Sequence, residues 1–179
     1  MTEKLRPLSE KRLEQIERTW ESTSDPDLFE LEFANVFSMI RNELTTGKED
    51  DEHFEVVDDR GQAQALLEII DSASGSQSKL LRYYFSPQQL VRSLDSTDVE
   101  FGYQASKIFT EAVFAVIEQS LRRGCRDVKI YARHDEMMQV LTMLKYAIDP
   151  PPEELGRANI EAVFEGRWLR ILFPMPSGN

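Results

Sequence analysis

Residues 103–123 read YQASKIFTEAVFAVIEQSLRR. Ala105, Ile108, Phe109, Ala112, Val113, Val116, Ile117 and Leu121 recur at helical spacing and give this stretch a broad apolar face. Arg122 and Arg123 suit the negative end of the helix dipole, and Gly124 is a natural stop. Residues 127–133 follow as a strand with Val128 and Ile130 on one face, and 135–147 as a second helix. Pro150, Pro151 and Pro152 end that helix, because proline lacks an amide donor and clashes with the preceding turn. A long apolar helix, a strand and another helix in succession decide the class: α/β, in layers.

Downstream, 159–164 and 167–173 read as a β-hairpin with Glu165-Gly166 as its turn. That register sets Glu161 against Arg170, Ala162 against Leu169 and Val163 against Trp168. Upstream, Leu80 to Phe85 reads as an aromatic-rich strand, and Ser86-Pro87 opens a short helix with Leu90, Val91 and Leu94 inward. Asp95 to Glu100 is a polar break. Residues 63–70 read as a helix, 73–78 as a flexible turn and 53–57 as a short strand. A helix over 10–22 has Ser9 as its cap and Leu13, Ile16 and Trp20 on one face. A second helix is capped by Asp25, with Pro26 first in the helix. It runs to about Leu44, with Phe29, Phe33, Val36, Phe37 and Ile40 in a stripe and Gly47 as its stop.

The expected architecture is therefore mixed α/β: a single layered domain over 1–179 with a mixed sheet of about five strands covered by helices. An N-terminal helical pair occupies 1–46, and an α/β core occupies 53–179, ending in the hairpin at 159–173.

Charge is uneven. The chain carries 32 acidic and 21 basic residues, a net of −11. Residues 1–60 hold 17 acids and 8 bases, so −9 of the total lies there. Nucleic-acid binding needs clustered Lys and Arg, and anionic membranes need the same, so neither partner is expected. Nor does any apolar run approach the length of a membrane span. One cysteine, Cys125, forms no internal disulfide, and the N-terminus has no apolar leader region. Both point to a cytoplasmic protein.

Motifs for chemistry are sparse. Residues 73–79 hold Gly75 and Lys79, but lack the second glycine of a phosphate loop, and no dinucleotide fingerprint occurs. Glu49, Asp50, Asp51, Glu52 and His53 lack calcium-loop spacing, and the two histidines lie far apart, so no metal is expected and no cofactor. There is no nucleophile elbow. Cys125 sits among arginines, which favour a thiolate, yet reads as a small connector residue. The weak catalytic candidates lie where strands end: His134, able to titrate near neutrality, and Asp58 or Asp59, able to orient it. Helix-start electrostatics and turn chemistry explain the same residues. Arg122, Arg123, Arg126 and Arg133, with Lys129, form the one basic concentration, a candidate anion or ligand site. Pairing with the acidic first third, within the chain or across a homodimer, is the favoured reading of that cluster.

With no catalytic signature, the residues favour a soluble, non-catalytic interaction or regulatory protein whose acidic N-terminal helices engage a basic protein partner. The alternative is a small cofactor-free enzyme or ligand-binding domain with its site around His134 and Asp58/Asp59.

Overall fold

A computed structural model describes residues 4–46, 53–88, 99–133, 135–148 and 160–174. Its elements are β1 (Leu5–Pro7), α1 (Glu10–Thr23), α2 (Pro26–Glu32), α3 (Ala34–Thr45), β2 (His53–Val57), β3 (Ala63–Asp71), β4 (Gln77–Phe85), α4 (Val99–Arg122), β5 (Asp127–Tyr131), α5 (Asp135–Ile148), β6 (Glu161–Glu165) and β7 (Trp168–Leu172). The seven strands stand in the order β1-β2-β3-β4-β5-β7-β6. The mixed α/β architecture expected from the sequence is the one found. Among the pairings described, β4 with β5 is parallel, over Gln77 to Leu80 against Asp127 to Ile130, and the others are antiparallel. A parallel pair needs a crossover, which α4 supplies in sequence. Among the described residues no helix is long and apolar enough to cross a membrane.

The chain divides into two units, Met1–Glu68 with Tyr83–Ala112, and Ile69–Arg82 with Val113–Asn179. In the first unit, Ser9 caps α1 by accepting from the Arg12 amide, and Asp25 caps α2 by accepting from the amides of Asp27 and Leu28. Leu13, Ile16 and Trp20 of α1 are buried with Phe29, Phe33, Phe37 and Ile40, and this cluster reaches Leu66 of β3. The Trp20 ring meets Phe33 and Phe37 edge-on, with centroids 5.4 and 5.6 Å away.

In the second unit, Val128 and Ile130 of β5 and Leu169 and Ile171 of β7 have no exposed surface, like Leu141 and Ile148 of α5. The opposite pleat of the same strands carries an ionic lattice. Asp127 is buried and accepts from Gln77 (2.6 Å) and Arg170 (2.7 Å). Glu165 accepts from Lys129 (2.8 Å) and Arg170 (3.2 Å). Lys129 and Arg170 are cross-strand neighbours, so the two carboxylates offset a like-charge pair. The hydrogen bond from Lys129, then that from Arg170, holds the Glu165 carboxyl below its ordinary 4.5. The Arg170 guanidinium is held above its ordinary value, first by the bond to Asp127 and then by that to Glu165. A carboxyl lowered by folding stabilises the fold above its unfolded pKa, and the gain fades as pH falls through the folded value. The stability difference between the natural chain and Glu165→Gln is therefore expected to be constant near neutrality and to shrink on acidification below 4.5. Thermal unfolding of both proteins from neutral pH to about pH 3 checks it, and a difference independent of pH would refute it.

Four expectations change. Residues 63–70 form strand β3 rather than a helix. Ala63, Ala65, Leu66, Leu67 and Glu68 pair with β2, and Ala65, Leu66 and Leu67 are buried on both faces of the sheet. Burial on both faces erases the alternation that marks a strand, and pairing overrides the helical preference of Ala, Leu, Gln and Glu. The long helix after Pro26 is two, α2 and α3, parted at Phe33, whose φ is −119°. The hairpin turn is Gly166-Arg167, with Glu165 opposite Trp168, Val163 opposite Arg170 and Glu161 opposite Leu172. A register slip of two residues keeps every side chain on its face, so hydrophobic pattern cannot detect it. Gly166 decides it, because its φ of +61° suits the first central position of a two-residue turn. Finally, β1 was not expected: three residues ending in Pro7 form an edge strand, where proline's missing donor does no harm. The Gly47 stop, the acidic run 49–52, most of the short helix and break over 86–100, His134 and the proline run at 150–152 lie outside the described residues.

Candidate functional site

The Asp58 turn builds one wall of a cleft in the first unit. Asp58 donates its amide to the Gln62 carbonyl at 2.9 Å, and its carbonyl accepts from Gly61 at 3.0 Å. Its carboxylate accepts from the amides of Arg60 (2.9 Å) and Gln62 (2.8 Å) and from the Gln64 side chain (3.3 Å). Gly61, at φ +76°, closes this reversal. Short aspartate side chains satisfy backbone donors two residues on, and glycine takes the left-handed turn at no steric cost.

The second wall is α1. Ile16, Thr19, Trp20 and Thr23 recur at i, i+3, i+4, i+7 and line the cleft on one helical face, with Arg12 a turn earlier. The third wall is the chain just past the carboxyl end of β4: Ser86, Pro87 and Gln88. The Ser86 amide donates to the Gln64 carbonyl at 2.9 Å, which fixes this segment to β3. The cleft is open to solvent and has a volume of about 320 Å³, at the lower end of the range for small-molecule sites.

Among the described residues, Arg12 is the one ionised side chain lining the cleft. Its Nε donates to both Glu55 carboxylate oxygens at 3.0 Å, and its Nη2 to the Gly61 carbonyl at 2.9 Å. Glu55 lies mid-strand in β2 and is 2% exposed. The remaining lining is hydroxyl, carboxamide and apolar. This arrangement can bind and orient a polar ligand. Among the described residues its lining holds no histidine or cysteine.

The expected site residues fall as follows. Asp58 lies behind the cleft wall, its carboxylate committed to its own turn, and Asp59 is exposed at the turn's tip. His134 lies outside the described residues. Arg123 donates to Asp71 at 2.8 Å. Arg126 is exposed, and its amide donates to the Ser76 carbonyl. Arg122 ends α4 and Arg133 follows β5, both exposed. The described partners of Arg123 and Lys129 are Asp71 and Glu165, not the acids of the first third. Cys125 is buried, its Sγ donating to the Gly75 carbonyl at 3.4 Å. The sequence reading missed Arg12, Glu55, Gln64 and Ser86. One signal was present: a glutamate between Phe54 and Val56, two residues that prefer burial, in a short strand.

No protein-family model matches the sequence, and no curated protein matches it. Solved structures do. A chimera of the spermidine N-acetyltransferase SpeG from Vibrio cholerae with hSSAT superposes with a TM-score of 0.50 at 12% identity, over 94% of this chain and 92% of that one. A second chimera of the same pair gives 0.49 at 14%, over 94% and 93%. An acetyltransferase of the GNAT family from Bacillus anthracis gives 0.48 at 13%, over 94% and 91%. At such identities the likeness is one of fold. It overturns the expectation of a non-catalytic interaction or regulatory protein, a protein-binding module, because the solved structure whose fold this chain shares, the chimeric spermidine N-acetyltransferase, is an enzyme.

Proposed function

We propose that this chain is a cytoplasmic N-acyltransferase that moves an acyl group from an activated donor to an amine. The observation that carries this reading is the cleft of about 320 Å³ lying directly past the carboxyl end of β4, a strand of the sheet's parallel pair. Open α/β sheets bind ligands outside the carboxyl ends of such strands, where the strand order switches. The shared fold with an N-acetyltransferase supports the same reaction class.

The chemistry suits what the cleft contains. The donor, an acyl thioester, supplies the acyl carbon and a thiolate leaving group. In direct transfer the neutral amine nitrogen forms the new C–N bond, the C–S bond breaks, and the amine proton leaves with solvent or the thiolate. No protein nucleophile is needed, so the missing triads do not count against it. The chain's share is orientation, whose effect on a bimolecular step is large. Gln64 lines the cleft and is held by Asp58 through its Nε2, and among the described residues nothing bonds its Oε1, which leaves that oxygen able to accept from a ligand.

The test is incubation with acetyl-coenzyme A and a panel of primary amines, reading thiol release and the mass gain of one acetyl group. Thiol release that requires both protein and amine is expected. Gln64→Ala should lower kcat/KM by about tenfold, the worth of one lost oriented hydrogen bond. Release no faster than without protein, for every amine, would end this reading.

A further inference from the structure

Which substrates would enter depends on charge. Glu10, Glu14, Glu17 and Glu21 recur along the other face of α1, where they line a separate groove with Arg41. Among the described residues no carboxylate lines the cleft.

Arg12 presents the opposite character. A guanidinium has five N–H donors in a fixed plane. Glu55 takes Nε–H, the Gly61 carbonyl takes one hydrogen of Nη2, and Gln15 approaches Nη1 at 3.5 Å. Each Nη carries two hydrogens and has one acceptor among the described residues, which leaves one N–H on each to spare. A guanidinium with an N–H to spare on both Nη atoms can receive a carboxylate or phosphate. Its aim is fixed from behind. Glu55, 2% exposed in the middle of β2, holds the Nε side, and the carbonyl of the positive-φ Gly61 holds Nη2. The ion pair thus turns its negative end into the sheet and its positive end toward the cleft.

We propose that the cleft selects its substrate through an anionic group, a carboxylate or a phosphate, received by the spare N–H groups of Arg12. The word substrate rests on the acyl-transfer reading, while the anion site rests on the geometry. Arg12 is then a specificity-determining residue, and an amine that carries an acid is favoured over a polyamine.

Trp20 lines the same cleft and is one of only two tryptophans, the other being Trp168. Trp168→Phe leaves Trp20 as the reporter. Titrating that protein with sodium acetate and with sodium phosphate, against sodium chloride at equal ionic strength, should give a saturable emission change with at least one of the two anions. Arg12→Lys keeps a positive charge beside Glu55 but loses the fork, and should weaken binding about tenfold. Arg12→Gln with Glu55→Gln removes both buried-pair charges together and should abolish saturation, with circular dichroism confirming the fold. No saturation with either anion, or unchanged affinity in both variants, overturns the site. These titrations contain no donor, so anion binding without thiol release would sink the acyl-transfer reading alone, and the reverse would sink the anion site alone. Where turnover is seen, a raised KM for the amine in Arg12→Lys assigns the anion to the acceptor, and a raised KM for acetyl-coenzyme A assigns it to the donor.

Discussion

Replacing Arg12 by alanine is expected to destabilise the protein by about 3 kcal/mol, the low end for breaking a buried ion pair from one side. Glu55 is 2% exposed and takes its two 3.0 Å bonds from Arg12 Nε. Without them its carboxylate stays in the sheet with water excluded and its charge unmatched. The loss exceeds the value of the interaction, because the desolvation cost of Glu55 is already incurred and nothing offsets it. Arg12 itself keeps 31% of its side chain exposed, which places the estimate at the low end. The control separates charge from packing. Arg12→Met with Glu55→Met removes both charges at similar volume and should recover most of the loss. Urea denaturation of the three proteins decides the matter. A single-variant loss below about 1 kcal/mol, or no recovery in the double variant, would show that the pair is solvated.

Phe37→Ala should cost still more, about 4 kcal/mol, as expected for truncating a buried aromatic ring. Phe37 has no exposed surface. Its ring stacks on Phe29 with centroids 5.9 Å apart and 21° between planes, and stands edge-on to Trp20 at 5.6 Å and 80°. One side chain therefore joins α1, α2 and α3. Its removal leaves a cavity bounded by three helices, and rigid helices collapse poorly into such a space. Because Trp20 also lines the cleft, its emission should shift in the same variant. Leu31→Ala is the matched control: Leu31 is 76% exposed, and its loss should lie within about 0.5 kcal/mol of zero. Equal effects at the two positions would refute the packing argument.

Much of the first unit was legible because its signals are local. Ser9, Asp25 and Pro26 mark helix starts by chemistry that acts within three residues, and Leu13, Ile16 and Trp20 declare the buried face of α1 by spacing alone. The Asp58 turn was equally plain: its carboxylate accepts from the backbone amides of Arg60 and Gln62. The cleft was not legible. Its walls come from residues near 12–23, 61–64 and 86–88, far apart in sequence, and each contribution is an ordinary Thr, Gln, Ser or Gly with no motif. The strand ends singled out in the sequence were those of β2 and β5, whereas the cleft lies past the end of β4.

By itself the sequence determined what short-range physics controls: the helix caps, the amphipathic faces of α1, α4 and α5, the breaks at glycine, and so the mixed α/β class. Tertiary structure alone decided the rest. Residues 63–70 became a strand because β2 offered backbone partners that outweigh an intrinsic preference of a few tenths of a kcal/mol per residue. The hairpin slipped by two because such a slip leaves its hydrophobic pattern unchanged. The charge at the cleft was settled by burial, since only the fold puts Glu55 behind Arg12 and turns the acidic stripe of α1 the other way. A net charge of −11 therefore says little about the site, whose one lining charge among the described residues is positive.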